Sequence, residues 1–386
     1  MSSLPGEVDA GQRLQQTVLR DFGPTSGEDE VQPTTPCYQL TVSPEDAPVP
    51  VLLKYALTLI GLPAGGPGEK VAWWVAFTYQ GERCEVAHQK FGLRIYLWTD
   101  KPAADAGTLL EQISQKLRSS VRTVEKLILD AAPDLLSRGN ATVINQHHGL
   151  RSAYDYFRER AVDPAHIEDV HEVHESDVGT GYSFTSGVIR MRMNAFHDMV
   201  AAITAYVSLL EHDLVLALPF CGFDPDQDNL AEMIGAKWGG KFSRVLGDAD
   251  GAERIRQRLF EVVERWRNPY SHGGFEKGQT ATIYLHTPGV DAAVPIGLTN
   301  LRDSPLFSLL PATETDIAEV FALFDEIDAW LESTLPEAMQ WISSGLPVRF
   351  DAAFGAQLDA ARQEGSFDSL LAVADYQQER ANNMDF

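Results

Sequence analysis

The sequence predicts an α+β domain built on a mainly antiparallel sheet, followed by an all-α helical bundle with a short β-hairpin insertion. Three observations carry that expectation. Between Cys37 and Trp98, runs rich in β-branched and aromatic residues alternate with Pro/Gly clusters, the pattern of short strands joined by turns. From Phe196 onward the apolar residues recur every three to four positions, the period of a helix with one buried face. And 386 residues exceed the length at which a single core stops growing, so two domains are expected.

Residues 1–34 are rich in Gly, Ser, Thr, Pro and acids without apolar periodicity and read as a flexible tail. The α+β domain is expected over 35–138. Its strand candidates are Tyr38–Val42, Val51–Ile60, Val71–Tyr79, Arg83–His88 and Phe91–Trp98, with Gln80-Gly81 as a hairpin turn. Leu109/Leu110, Ile113, Leu117, Val121, Val124 and Leu127/Ile128 then show helical spacing, so a helix over 105–131 is expected to cover one sheet face. Trp73, Trp74, Tyr79, Tyr96 and Trp98 allow two readings. Exposed aromatics on a sheet can stack unpaired bases, whereas aromatics at alternating positions of a small sheet usually form its core.

Residues 139–187 read as an acidic linker region, with a short strand over 140–145 and a short helix over 150–160. His166, His171 and His174 lie there among Glu168, Asp169, Glu172 and Glu175. The segment His171-Glu-Val-His174 is one residue short of the spacing that puts two imidazoles on one helical face, so no metal site is assigned. His147-His148 receives no role.

The helical domain is expected over 188–345. Phe196, Met199/Val200, Ile203, Tyr206/Val207, Leu210, Leu214 and Leu218 define a long helix that Pro219 ends, and Leu230–Leu246 reads as one or two shorter helices. The stretch 235–242 imitates a phosphate-binding loop, but Phe242 stands where a Mg²⁺-holding Ser or Thr belongs, which excludes a nucleoside triphosphatase. Residues 281–286 and 293–298 form a candidate hairpin. A long stripe from Ile317 to Ile342 follows, with Thr313 as its cap and Pro336 dividing it after Leu335. An acidic C-terminal extension, 346–386, carries two further helices over 351–362 and 367–380.

Between the short helices and that hairpin lies the stretch Glu253–Gly274. Ile255, Leu259, Val262/Val263 and Trp266 set a helix, with Arg254, Arg258 and Arg265 on its other face. Asn268-Pro269 is expected to break it, since a residue before proline is pushed out of the α region, and Asn268 would cap a new turn ended by Gly273-Gly274. Arg267, Asn268 and His272 thus gather at a helix break: a permanent cation able to grip a phosphate, an amide, and an imidazole that titrates near neutral pH. Arg83…His88, Arg160…His166 and Arg192…His197 share the bare spacing, but Cys84, Ala161 and Met193 follow their arginines and no glycines follow their histidines.

On an amphipathic helix and followed by glycine, Arg267-Asn268-x-x-x-His272 resembles the signature of the HEPN superfamily over about residues 190–343, which makes the second domain an expected HEPN-like bundle. The resemblance implies a metal-independent endoribonuclease without cofactor that leaves a 2′,3′-cyclic phosphate and a 5′-hydroxyl. Arg267, Asn268 and His272 would be catalytic, and Tyr270, Ser271, Arg258, Arg265 and Lys241 would contact substrate. It also implies a homodimer with the two motifs facing each other, RNA as the partner (tRNA or another structured RNA), a regulatory protein, and a toxin or antiviral defence role such as abortive infection. The alternative is a non-catalytic HEPN module binding a nucleotide, RNA or a partner protein.

Charge bears on that choice. With 31 Lys+Arg against 55 Asp+Glu, the net −24 repels nucleic acid at long range and weighs against indiscriminate RNA binding. Half of the excess sits in 314–386, which has 15 acidic and 3 basic residues, whereas 237–267 has 8 basic and 5 acidic. Three widely spaced cysteines, Cys37, Cys84 and Cys221, argue against a disulfide framework or a cysteine-based zinc site and point to a reducing, cytoplasmic setting. The most apolar window, 196–220, holds Asp198, Glu211, His212 and Asp213, so no membrane span is expected.

Overall fold

The structure, a computed structural model, describes residues 4–25, 34–271, 283–286, 288–289, 291, 294–296 and 311–384. Its contacts separate two units, Met1–Ser137 with Asp368–Phe386, and Arg138–Phe367. The first holds an antiparallel sheet with helices; the second is mostly helical.

The first unit runs α1 (Glu7–Gln16), β1 (Phe22–Gly23), β2 (Cys37–Val42), α2 (Val51–Leu59), β3 (Ala64–Gly65), β4 (Val71–Tyr79), β5 (Glu82–Gln89), β6 (Gly92–Trp98) and α3 (Ala103–Ser137). The sheet order is β1-β4-β5-β6-β2, with β3 on β4. Gln80 and Gly81, at φ 51° and 84°, make the two-residue turn between β4 and β5, the left-handed pair that matches strand twist. Side-chain alternation then sorts the sheet into two faces. Trp73, Val75, Phe77 and Tyr79 of β4, with Cys84 and Val86 of β5 and Leu93, Ile95 and Leu97 of β6, are buried with Leu109, Leu110, Ile113, Leu117 and Val124 of α3. Register places Trp74, Arg83, Glu85, Arg94, Tyr96 and Trp98 on the opposite face, all half-buried. The aromatic set thus divides: Trp73 and Tyr79 are core, and the other three are not.

Two expectations are corrected in this unit. Residues 4–25 are not a flexible tail, because Leu14, Leu19 and Phe22 are buried in the core, and three apolar anchors suffice to fix a short helix and a two-residue strand. Val51–Ile60 is a helix rather than a strand. A short continuous apolar run is ambiguous by periodicity, and here Leu53, Ala56 and Leu57, at i, i+3 and i+4, turn inward together.

The second unit continues with β7 (Thr142–Val143), α4 (His147–Val162), β8 (Val170–Ser176), β9 (Gly179–Thr185), α5 (Gly187–Ala217), α6 (Leu230–Gly235), α7 (Trp238–Leu246), α8 (Ala252–Val262), a π turn (Val263–Arg267) and α9 (Asn268–Ser271). Beyond these come β10 (Ile283–Leu285), β11 (Val294–Ile296), α10 (Glu314–Thr334), α11 (Pro336–Ser343), β12 (Val348–Arg349), α12 (Ala352–Glu364) and α13 (Phe367–Asn383), most of which groups with the first unit. The expected hairpin is present, β10 pairing antiparallel with β11. The expected cap is present too, Thr313 and Asp316 forming a capping box at α10, and Pro336 opens α11.

α5 is the axis of this unit. Phe196, Met199, Ile203, Tyr206, Leu210 and Leu214 are buried, and Tyr206 stacks on Phe324 of α10 at 4.0 Å between centroids while donating to Asp328 Oδ1 at 2.8 Å. Helix 187–221 is apolar and long enough to cross a membrane, yet 61% of its apolar window is buried inside the fold, as a core helix requires. The region expected as a linker is structured: α4 packs along α5, and β8 and β9 form a hairpin with every residue exposed. On β8, His171 and His174 are three apart and so project from opposite faces, which explains why they share no ligand site. Among the described residues no His/Cys/Asp/Glu group is placed to hold a metal.

Candidate functional site

The helix that carries the motif does not break where the sequence led us to expect. Asn268 keeps helical angles, φ −63° and ψ −38°, and its N–H reaches back five residues to the Val263 carbonyl. The reason is Pro269. It has no N–H to offer, and its ring would collide with the carbonyl four residues back in an α-helix; one wider turn accommodates it, and single π turns of this kind are frequent at functional positions. The turn buries Val263 and Trp266, Trp266 lying edge-on to Phe196 of α5 at 6.3 Å. Pro269 is buried, and Tyr270, 41% exposed, meets Phe196 edge-on at 5.1 Å.

Charge pairing separates the arginines of this stretch. Arg254 and Arg258 both reach Glu326 of α10, the former at 3.1 Å, and Arg256 pairs with Glu253 at 2.7 Å. Arg265 lies over the Trp266 ring at 4.3 Å and bonds Asp316 at 3.2 Å. Arg258 thereby holds the Glu326 carboxyl below its ordinary range. Lys241 is 6% exposed with its ammonium 3.4 Å from Glu211. Arg267 differs from all of these. It is half-buried, its Nε is sequestered without a hydrogen-bond partner, and among the described residues it makes no ion pair. A buried donor left unmade is costly, and Arg267 bears that cost without a carboxylate partner among the described residues.

Beside it, Asn268 Nδ2 donates to Glu264 Oε1 at 2.6 Å, one helical turn back. Glu264 was not singled out from the sequence, although four-residue spacing to a polar motif residue was the available cue. His272 lies outside the described residues, as does the side chain of Ser271. The structure therefore brings together Arg267, Asn268 and Tyr270 on one turn, and places Arg258, Arg265 and Lys241 in pairs with carboxylates. A separate cleft of about 340 Å³ has Val162, Arg192, Ala195, Thr313 and Ile317 among its walls, and among the described residues no motif side chain lines it.

The other three copies of the spacing sit differently. Arg83 and His88 are both within β5, Arg160 bonds Asp198 at 3.2 Å, and Arg192 and His197 fall inside α5.

A second polar cluster lies in the bundle interior and was missed entirely. His147 Nδ1 is 3.0 Å from both oxygens of Asp213, the pair being 6% and 4% exposed, and His212 Nε2 accepts from the Gln146 N–H at 2.9 Å. Burial pushes Asp213 up and His212 down from their ordinary values. The signal was Glu211-His212-Asp213 near the C-terminal end of a core helix, since buried polar groups require partners. Comparison with family models, curated proteins and solved structures finds no match to this chain.

Proposed function

We propose that the second unit is a HEPN-type endoribonuclease that cleaves RNA without a metal, leaving a 2′,3′-cyclic phosphate and a 5′-hydroxyl. The observation that carries this reading is Arg267. In a protein with 55 carboxylates, the arginine at the motif position is kept out of any ion pair among the described residues while its helix neighbours are neutralised.

In the proposed reaction the substrate's 2′-hydroxyl gives up its proton, the O2′–P bond forms, the P–O5′ bond breaks, and a proton goes to the leaving oxygen. His272 moves those protons. Arg267 stabilises the charge on the five-coordinate phosphorus, a term that grows in the transition state and so accelerates the step. Asn268, held from behind by Glu264, fixes the turn that presents Arg267. A homodimer sets two such motifs face to face, acting on a structured RNA in a toxin or defence role under a regulatory protein.

A second reading has its own support. Glu326 and Asp316 already occupy Arg254, Arg258 and Arg265, so little unpaired positive charge surrounds Arg267 for a long RNA backbone. That favours a non-catalytic module holding one nucleotide. Incubating the purified protein with total RNA in chelator, followed by end-group analysis, separates the two: the nuclease yields fragments ending in cyclic phosphate, lost in His272→Ala. Intact RNA with the wild-type dimer contradicts the nuclease.

A further inference from the structure

The sheet face turned away from α3 is not an ordinary solvated surface. Tyr96 and Trp98, two residues apart on β6, project from it together with their rings 6.0 Å apart and 28° from parallel. Arg83 of β5 lies opposite Trp98 in register, its guanidinium 5.9 Å above the indole. Arg94 stands on the same face two residues before Tyr96, its Nε buried without a hydrogen-bond partner and, among the described residues, no carboxylate paired with it. Trp74 shares the face but is roofed by glycines: a Cβ on Gly65 would run into its indole, and one on Gly68 would lie 3.3 Å from it. Those glycines explain why Trp74 is covered while Tyr96 and Trp98 are not part of the core.

Flat rings at strand spacing flanked by guanidinium groups fit one ligand chemistry well. Every base has a π face that stacks on an aromatic side chain without sequence preference, and the phosphates between bases meet the cations. The charge objection that applies to the whole chain does not apply here. Residues 37–101 carry six basic and six acidic side chains, and the face itself has two arginines against Glu85.

The geometry points to this sheet face as a docking surface for the unpaired bases of a single-stranded nucleic acid, Tyr96 and Trp98 stacking bases while Arg83 and Arg94 meet phosphates. It extends beyond the nuclease reading, because holding a strand requires nothing of His272.

The test uses the full chain and a fluorescein-labelled 2′-O-methyl-oligouridine 12-mer, which cannot be cleaved through its 2′ position, read by anisotropy. The single strand binds saturably, a thymidine 12-mer binds comparably, and a 12-base-pair RNA duplex binds at least about tenfold more weakly. Tyr96→Leu and Trp98→Leu each weaken the single strand by about tenfold or more, Tyr96→Phe binds as wild type, and Arg94→Gln lowers the slope of log K against log salt by about 0.7. The 12-mer cannot be cleaved and cleavage is scored in its own assay, so failure here and failure of the nuclease are separate results. If a leucine variant melts early, the salt slope of Arg94→Gln and the comparison with duplex still decide the matter. The proposal is overturned by absence of saturable binding to wild type, by leucine variants that melt and bind like wild type, by an unchanged salt slope in Arg94→Gln, or by duplex binding as tightly as single strand, which would mark a general anion surface.

Discussion

At the scale of single residues, what distinguishes Arg267 is the company it lacks. Arg265 and Arg258 have carboxylate partners, so replacing Arg265 takes the arginine from Asp316 and replacing Arg258 leaves Glu326 with Arg254 alone, whereas Arg267 has no carboxylate partner among the described residues. Arg267→Ala is therefore expected to change stability by no more than about 0.5 kcal/mol, measured by denaturant unfolding, whereas Asn268→Ala, which cuts the bond to Glu264, costs about 1 kcal/mol. The sequence singled out Arg267, Asn268 and Tyr270 because a motif fixes residue type and spacing. It was silent on the His147–Asp213 pair because that depends on which side chains the fold brings together from 66 positions away, whereas Glu264, one turn before Asn268, was within reach of the spacing.

Elements were legible where an amphipathic period was long. The stripes in α3, α5 and α10, the cap at Thr313 and the division at Pro336 are all as the apolar spacing implied. The failures share a cause, local signals that tertiary context overrides: a short apolar run became α2, and Asn268-Pro269 widened a helix in place of ending it. The π turn yields a prediction. In Pro269→Ala the restored N–H can bond the carbonyl of Arg265, the turn reverts to α geometry, and Arg267 swings round the helix by roughly one residue's rotation. Melting temperature should hold or rise while RNA cleavage drops at least about tenfold; a drop in both together would mean the proline serves stability alone. The β8–β9 hairpin gives another. All 16 of its residues, 170–185, are exposed and an isolated two-stranded ribbon adds little in water. Replacing 170–185 with a short Gly/Ser linker, Asp169 kept for its bond to the Gly187 N–H, should move the melting temperature by less than about 2 °C.

At the scale of the whole molecule, acid is the informative stress. Burial holds His212 in the second unit and His88 in the first below the ordinary value of 6.5. Their unfolded forms bind protons that the folded forms refuse, so the stability they contribute is present above pH 6.5 and lost as pH falls through the folded values. Asp213, pushed up by burial, acts in the opposite sense, its cost appearing as pH rises through its folded value. The difference between wild type and His212→Gln isolates the imidazole: wild type should lose stability below pH 6.5 more steeply than the variant, and equal slopes would assign the acid sensitivity elsewhere.

The most direct measurement compares Arg267→Ala with Arg265→Ala under one RNA cleavage assay in chelator, the two arginines being two residues apart on one turn and differing in whether a carboxylate already holds them. Loss of cyclic-phosphate products by at least about a hundredfold in Arg267→Ala, with Arg265→Ala within about tenfold of wild type, is the predicted result. Equal losses in both, or full activity in Arg267→Ala, would contradict the assignment of the unpaired guanidinium to the scissile phosphate.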